Sequence, residues 1–217
     1  MTTLTETKTR ILWPFAGIGA GLLTLVAVHG TAPQVPDDVV ARGADAVAAW
    51  SGDQAGILRV GVAAGFATVV VVSVFAAGFA RLVEQRSPEG SALPGAIRMA
   101  LTAGIASLIA FFGIKAVYAV GVPGAVDNHM YTPTDVSAIG TLAMQGHWLA
   151  YWGFALAAAL TAVLSLRHRV LPRWFGWLSL VIAVFVFGMT AAFGLVFSAG
   201  LCAPIWLIAA GIASRRP

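Results

Sequence analysis

From Trp174 to Ser214 the chain runs for about 41 residues without an Asp, Glu, Lys, Arg or His. No other feature narrows the possible folds as far. As one helix the stretch would be about 60 Å long, twice the hydrocarbon thickness of a bilayer. It is therefore read as a tight hairpin of two spans, turning between Gly194 and Gly200. In hydrocarbon the peptide groups can be satisfied only inside helices or in a closed barrel. A barrel needs alternating polarity, and runs such as VVVVSVFAAGF do not alternate.

The rest of the chain agrees. Only 10% of its residues are charged and 59% are hydrophobic, with a mean hydropathy of +0.87. A soluble domain carries about a quarter charged residues. The lipid bilayer is thus the expected partner, and no nucleic-acid partner is read from the formal net charge of +4. The one cysteine, Cys202, lies in an apolar run, which excludes an intramolecular disulfide or a cysteine-rich metal site.

The expected fold class is all-α, a polytopic transmembrane helical bundle with six spans in one domain. The spans are approximately 11–30, 58–79, 96–120, 144–166, 174–194 and 197–214. A cleaved leader is the rival reading of the first, but its apolar run from Ile11 to Val28 is long for one. Residues 31–56 form an extracytoplasmic loop with a short amphipathic helix. Pro36, Asp37 and Asp38 suit its first turn, and Val40, Ala44 and Val47 share one face. Ser87-Pro88 and Leu93-Pro94-Gly95 mark turns in the charged connector after the second span. Thr134 or Asp135 is expected to cap the helix that precedes and enters the fourth.

Cations give an independent reading of orientation. Lys8, Arg10, Arg81, Arg86, Arg98, Arg167, Arg169, Arg173, Arg215 and Arg216 fall on one side of a six-span layout. Arg42 and Arg59 fall on the other, with Lys115 buried near its edge. The positive-inside rule then puts both termini in the cytoplasm.

Small residues recur at four-residue spacing at Gly17/Gly21, Gly61/Gly65, Ala100/Gly104 and Gly188/Ala192. Such pairs let helices approach closely within the chain, or against another copy or another membrane protein. The tryptophans fall mostly near predicted interfaces, where an amphipathic ring is at ease.

Side chains with chemistry collect on the side opposite the arginines. The candidate ligand-binding residues are Lys115, Tyr118, Asp127, His147 and Tyr151; a lysine within a span is costly unless paired or near water. The plain alternative has Lys115 snorkelling to the headgroups. His29, His129 and His147 are the candidate metal or haem ligands, with no HExxH or paired-histidine motif to join them. No GxSxG elbow or phosphate loop is present, so no catalytic residue is assigned and no cofactor is expected. No span holds an Asp or Glu of the kind a proton-driven transporter uses as a relay.

Leu171, Pro172, Arg173, Trp174, Gly176 and Trp177 at one span's entry, with Pro204, Trp206 and Leu207 in the closing helix, form a recognisable pattern. It resembles a class of uncharacterised multi-pass membrane proteins of the actinobacterial type, and covers about a fifth of the chain. The resemblance implies six spans and a bacterial cytoplasmic membrane, and no activity. The functional expectation is a non-enzymatic accessory subunit or sensor with a polar cluster at the outer face. A small-molecule transporter or ligand-binding membrane protein is the alternative, with a haem- or metal-binding protein or an enzyme after it.

Overall fold

The computed structural model describes residues 3–31, 33–195 and 197–215; for residues 3–11, Val28, Gln145 and His147 it describes the backbone alone. The described residues are helical, with no strand among them. Helix α1 (Thr3–Thr24) continues as a π-helical turn, Leu25–Gly30. Two short helices follow, α2 (Asp37–Ala41) and α3 (Ala44–Asp53), then the long helices α4 (Ala55–Arg86) and α5 (Leu93–Gly121). A broken leg comprises α6 (Pro133–Gln145), α7 (His147–Ala150) and α8 (Trp152–His168), and α9 (Arg173–Phe193) and α10 (Ser198–Ala213) complete the chain.

The helix ends have local causes. Helix α4 runs on through RLVEQR, all but Val among the better helix formers, and stops at Ser87, which Pro88 holds extended at ψ 151°. The segment read as a connector is therefore helical as far as Arg86. The helix expected over 36–47 is instead two helices, because Gly43 (φ 93°) breaks it; Val40 is left exposed while Val47 is buried. The cap of α6 is Thr132, not Thr134 or Asp135. Its hydroxyl accepts from the Asp135 amide at 3.2 Å and the Asp135 carboxylate accepts from the Thr132 amide at 2.9 Å. Pro133 makes that frame the favoured one, since its fixed φ suits the first helical position. Gly194 (φ 67°) closes α9 in the left-handed conformation.

Glycine sets how closely neighbouring helices pack. Cβ atoms at Gly17 and Gly211 would lie 3.0 Å from Gly211 Cα and 2.5 Å from Pro14 O, so α1 and α10 meet nearly backbone to backbone. At Gly153 a Cβ would run into the backbone of Gly104, which fixes α8 on α5. Without a hydrophobic drive between helices in lipid, such close van der Waals packing is what holds them. Gly188 and Ala192 are different: both are exposed, and nothing lies within 4 Å of a Cβ at Gly188.

Trp206 is fully buried rather than interfacial. Its ring packs with Phe75, Phe79 and Phe175 at centroid distances of 6.5, 5.7 and 6.0 Å, and its indole N–H donates to Ser179 Oγ at 3.0 Å. Outward faces are as apolar as the core: Val70, Val181, Val184 and Phe193 are each more than 60% exposed. Four segments are long and apolar enough to cross a membrane: Ala55–Arg86, Leu93–Gly121, Pro133–His168 and Arg173–Phe193. Two shorter apolar helices, Leu12–Ala27 and Ser198–Ala213, pack beside them. This is the make-up of a membrane protein.

The two ends of the bundle differ. At the arginine end, Arg98 of α5 pairs with Glu84 of α4, and the Arg215 guanidinium lies 3.8 Å from the centre of the Phe15 ring. At the opposite end the π-helical turn, α2, α3 and α6 gather around a cleft.

Candidate functional site

Helix α1 ends in a turn whose wider winding leaves carbonyls without the usual partners. Lys115 of α5 supplies them. Its ammonium donates to Ala27 O at 2.9 Å, Thr31 O at 3.1 Å and Thr31 Oγ1 at 3.3 Å, and Thr31 Oγ1 itself donates to Ala27 O at 2.9 Å. An ammonium has three N–H donors, and these acceptors occupy them. Gly61 of α4 makes the space: a Cβ there would run into Thr31 Oγ1 and come within 2.7 Å of Lys115 Nζ. Lys115 is only 2% exposed, and among the described residues no carboxylate lies within ion-pair distance of it. The side chain thus closes the end of α1 from inside the bundle and does not reach outward.

Tyr118 lies one helical turn further along α5. Its hydroxyl is 2.6 Å from Ser51 Oγ, and Ser51 donates to Val47 O at 2.6 Å, so the phenol is left to donate to the serine. That bond fastens α3 to α5. The same end of the ring rests on Gly140 of α6, where a Cβ would lie 2.9 Å from a ring carbon and 3.1 Å from the hydroxyl.

The Tyr118 ring forms part of the wall of a cleft of about 530 Å³. His29 and Gln34 line it from the end of α1 and the following loop, and Val40 and Val47 from α2 and α3. Ser137, Thr141 and Met144 project from α6; Trp148, Phe197 and Leu201 complete the wall. Trp148 and Phe197 meet edge to face at 5.6 Å. The lining is apolar and aromatic with a few convergent polar groups, and its volume is that of a small-molecule site. Among the described residues its lining holds no Asp, Glu, Lys or Arg, and His29 is the readily ionisable group among them.

Two of the helical legs that border the cleft are irregular beside it. The leg from α6 to α8 is interrupted at Gly146 and again at Tyr151 (φ −99°, ψ 0°), while α1 ends in its π-helical turn. Broken helices at membrane depth are tolerated where they are buried in protein or line a cavity, and frequently mark binding sites.

Of the residues singled out from sequence, Tyr118 and His29 line the cleft, whereas Lys115 lies behind its wall. Tyr151 is fully buried in the core, with its hydroxyl near that of Thr24 and neither in hydrogen-bonding geometry. Asp127 is half-buried in the loop after α5, where its amide donates to Val120 O at 3.3 Å, and His129 is exposed nearby. The side chain of His147 lies outside the described residues. Among the described residues, no group of three or more His, Cys, Asp or Glu is placed to hold a metal ion. Sequence reasoning missed Ser137, Thr141, Met144 and Trp148. The first three, spaced by four and three, share one face of α6, and that periodicity was the signal available.

Compared with protein-family models, curated proteins and solved structures, the chain matches none.

Proposed function

We propose that this is a six-span protein of the bacterial cytoplasmic membrane, with cytoplasmic termini, that binds a small uncharged amphipathic molecule at its extracytoplasmic end. It acts without catalysis, as a sensor or as the ligand-binding subunit of a larger assembly. The observation that carries this reading is the cleft of about 530 Å³ bordered by two interrupted helices. The lack of carboxylates and lysines among its described lining residues favours a neutral ligand, and its tryptophan and phenylalanine walls favour an apolar body with one or two hydrogen-bonding groups. The likeness of Leu171–Trp177 and Pro204–Leu207 to six-span bacterial proteins fits the same layout.

Native mass spectrometry of the full chain from mild detergent tests the ligand. A co-purifying small molecule is expected on the wild type and absent from Ser137→Trp, which fills the cleft. Retention of the same molecule by S137W, or an empty wild type in every mild detergent, contradicts the reading.

Lateral association, with another copy or another membrane protein, is a second reading. The exposed Gly188 and Ala192 on α9 favour it, because close packing there needs nothing moved aside.

A further inference from the structure

Two grooves lie on the outer surface of the bundle toward the arginine end, one on each side of α4. The first, about 480 Å³, runs between α4 and α5 over Ser73, Ala76, Ala77 and Ala80 and closes on Arg81, Glu84 and Arg98. The second, about 910 Å³, runs between α1 and α4 over Leu12, Trp13, Val74 and Gly78. They share two residues, Ala77 and Arg81. Small side chains floor the first groove, Leu12, Trp13 and Val74 wall the second, and the stretch from Ser73 to Arg81 spans about 12 Å along the helix, a good part of an acyl chain's length.

Charge distinguishes these grooves from the rest of the apolar surface. Arg98 is engaged by Glu84, but Arg81 is exposed and forms no ion pair among the described residues. Two guanidiniums against one carboxylate leave a positive excess where the two apolar channels converge. A guanidinium donates in a fork that matches a phosphate's oxygens.

We propose that these grooves seat the two acyl chains of one anionic phospholipid of the cytoplasmic leaflet, whose phosphate is held by Arg81 with Arg98 beside it. The site rests on the membrane reading of the bundle and not on the cleft at the other end. Attraction of anionic lipid is worth about 1 kcal/mol per Arg near the surface, so Arg81 alone corresponds to about a fivefold preference over a zwitterionic lipid.

The test uses the full chain in neutral detergent, doped with equal amounts of phosphatidylglycerol and phosphatidylcholine. Retained lipid is read by native mass spectrometry and thermal stability by melting. The wild type is expected to retain about fivefold more phosphatidylglycerol. Arg81→Gln removes that preference, Arg81→Lys keeps most of it, and Arg42→Gln at the far end leaves it unchanged. Ala77→Leu fills the junction of the grooves while sparing the guanidinium, and also loses the preference. Equal retention of the two lipids by the wild type overturns the proposal, as does an undiminished preference in both R81Q and A77L. Stabilisation by inorganic phosphate equal to that by phosphatidylglycerol overturns it in favour of a simple anion site. A chain that stays in solution without detergent refutes the membrane reading as well, whereas a detergent-dependent chain with no lipid preference refutes this site alone.

Discussion

Lys115 and Gly61 show how one residue pair decides the end of a helix. The lysine's three hydrogen bonds satisfy carbonyls and a hydroxyl that the π-helical turn leaves exposed to a water-poor interior. Lys115→Met removes the donors and leaves those acceptors buried, with an expected loss of about 1–3 kcal/mol, read from thermal melting in detergent. An unchanged melting temperature would mean that the turn finds other partners. At Gly61 an added methyl must displace both Thr31 and Lys115, so Gly61→Ala is expected to destabilise by about 1–3 kcal/mol. Gly188→Ala is the matched control: with open space around it and a helical backbone, it is neutral or stabilises by about 0.4–1 kcal/mol. Sequence made the lysine conspicuous, since an intramembrane cation stands out in any reading. It did not reveal the lysine's partners, because Ala27 and Thr31 contribute mainly backbone oxygens and lie 88 and 84 positions away along the chain.

At the scale of elements, helix identity was legible and helix interruption was not. Long apolar runs with few charges admit little besides helices, and the all-helical class follows from that. The breaks at Gly43, Gly146 and Tyr151 depend on local backbone angles that a composition window averages away. The cap at Thr132 was missed for a related reason: three candidate caps lie within four residues, and Pro133 selects among them. The wall of the cleft was half legible. Tyr118 stood out as a polar group in a span, but the α6 face is recognisable only once its periodicity is laid against that tyrosine. Helix α3 offers a test at this scale, since the Tyr118–Ser51 bond fastens it to α5. Tyr118→Phe is expected to weaken that attachment by about 0.5–1.5 kcal/mol, seen as faster hydrogen exchange across Ala44–Asp53 while α4 and α5 stay protected. Uniform exchange in mutant and wild type would mean that apolar contacts alone hold α3. The contact between α5 and α8 is less forgiving, because Gly153 faces backbone rather than a side chain that can rotate away. Gly153→Leu is expected to abolish recovery of folded protein from the membrane fraction, whereas Gly188→Leu is tolerated.

For the whole molecule, the account depends on lipid being the medium around most of the chain, and on the arginine end facing the cytoplasm. Large apolar side chains stand exposed along the outside of the bundle. Most of the cations with described side chains lie at the end away from the cleft, and the positive-inside rule would put that end in the cytoplasm. The most direct test is labelling of single cysteines by a membrane-impermeant maleimide, in a Cys202→Ser background. With the proposed orientation, Asp53→Cys and His129→Cys react in intact cells, and Glu89→Cys and Arg167→Cys react only after the membrane is permeabilised. Reaction of Glu89→Cys or Arg167→Cys in intact cells would contradict the orientation, and with it the placement of both the cleft and the lipid grooves.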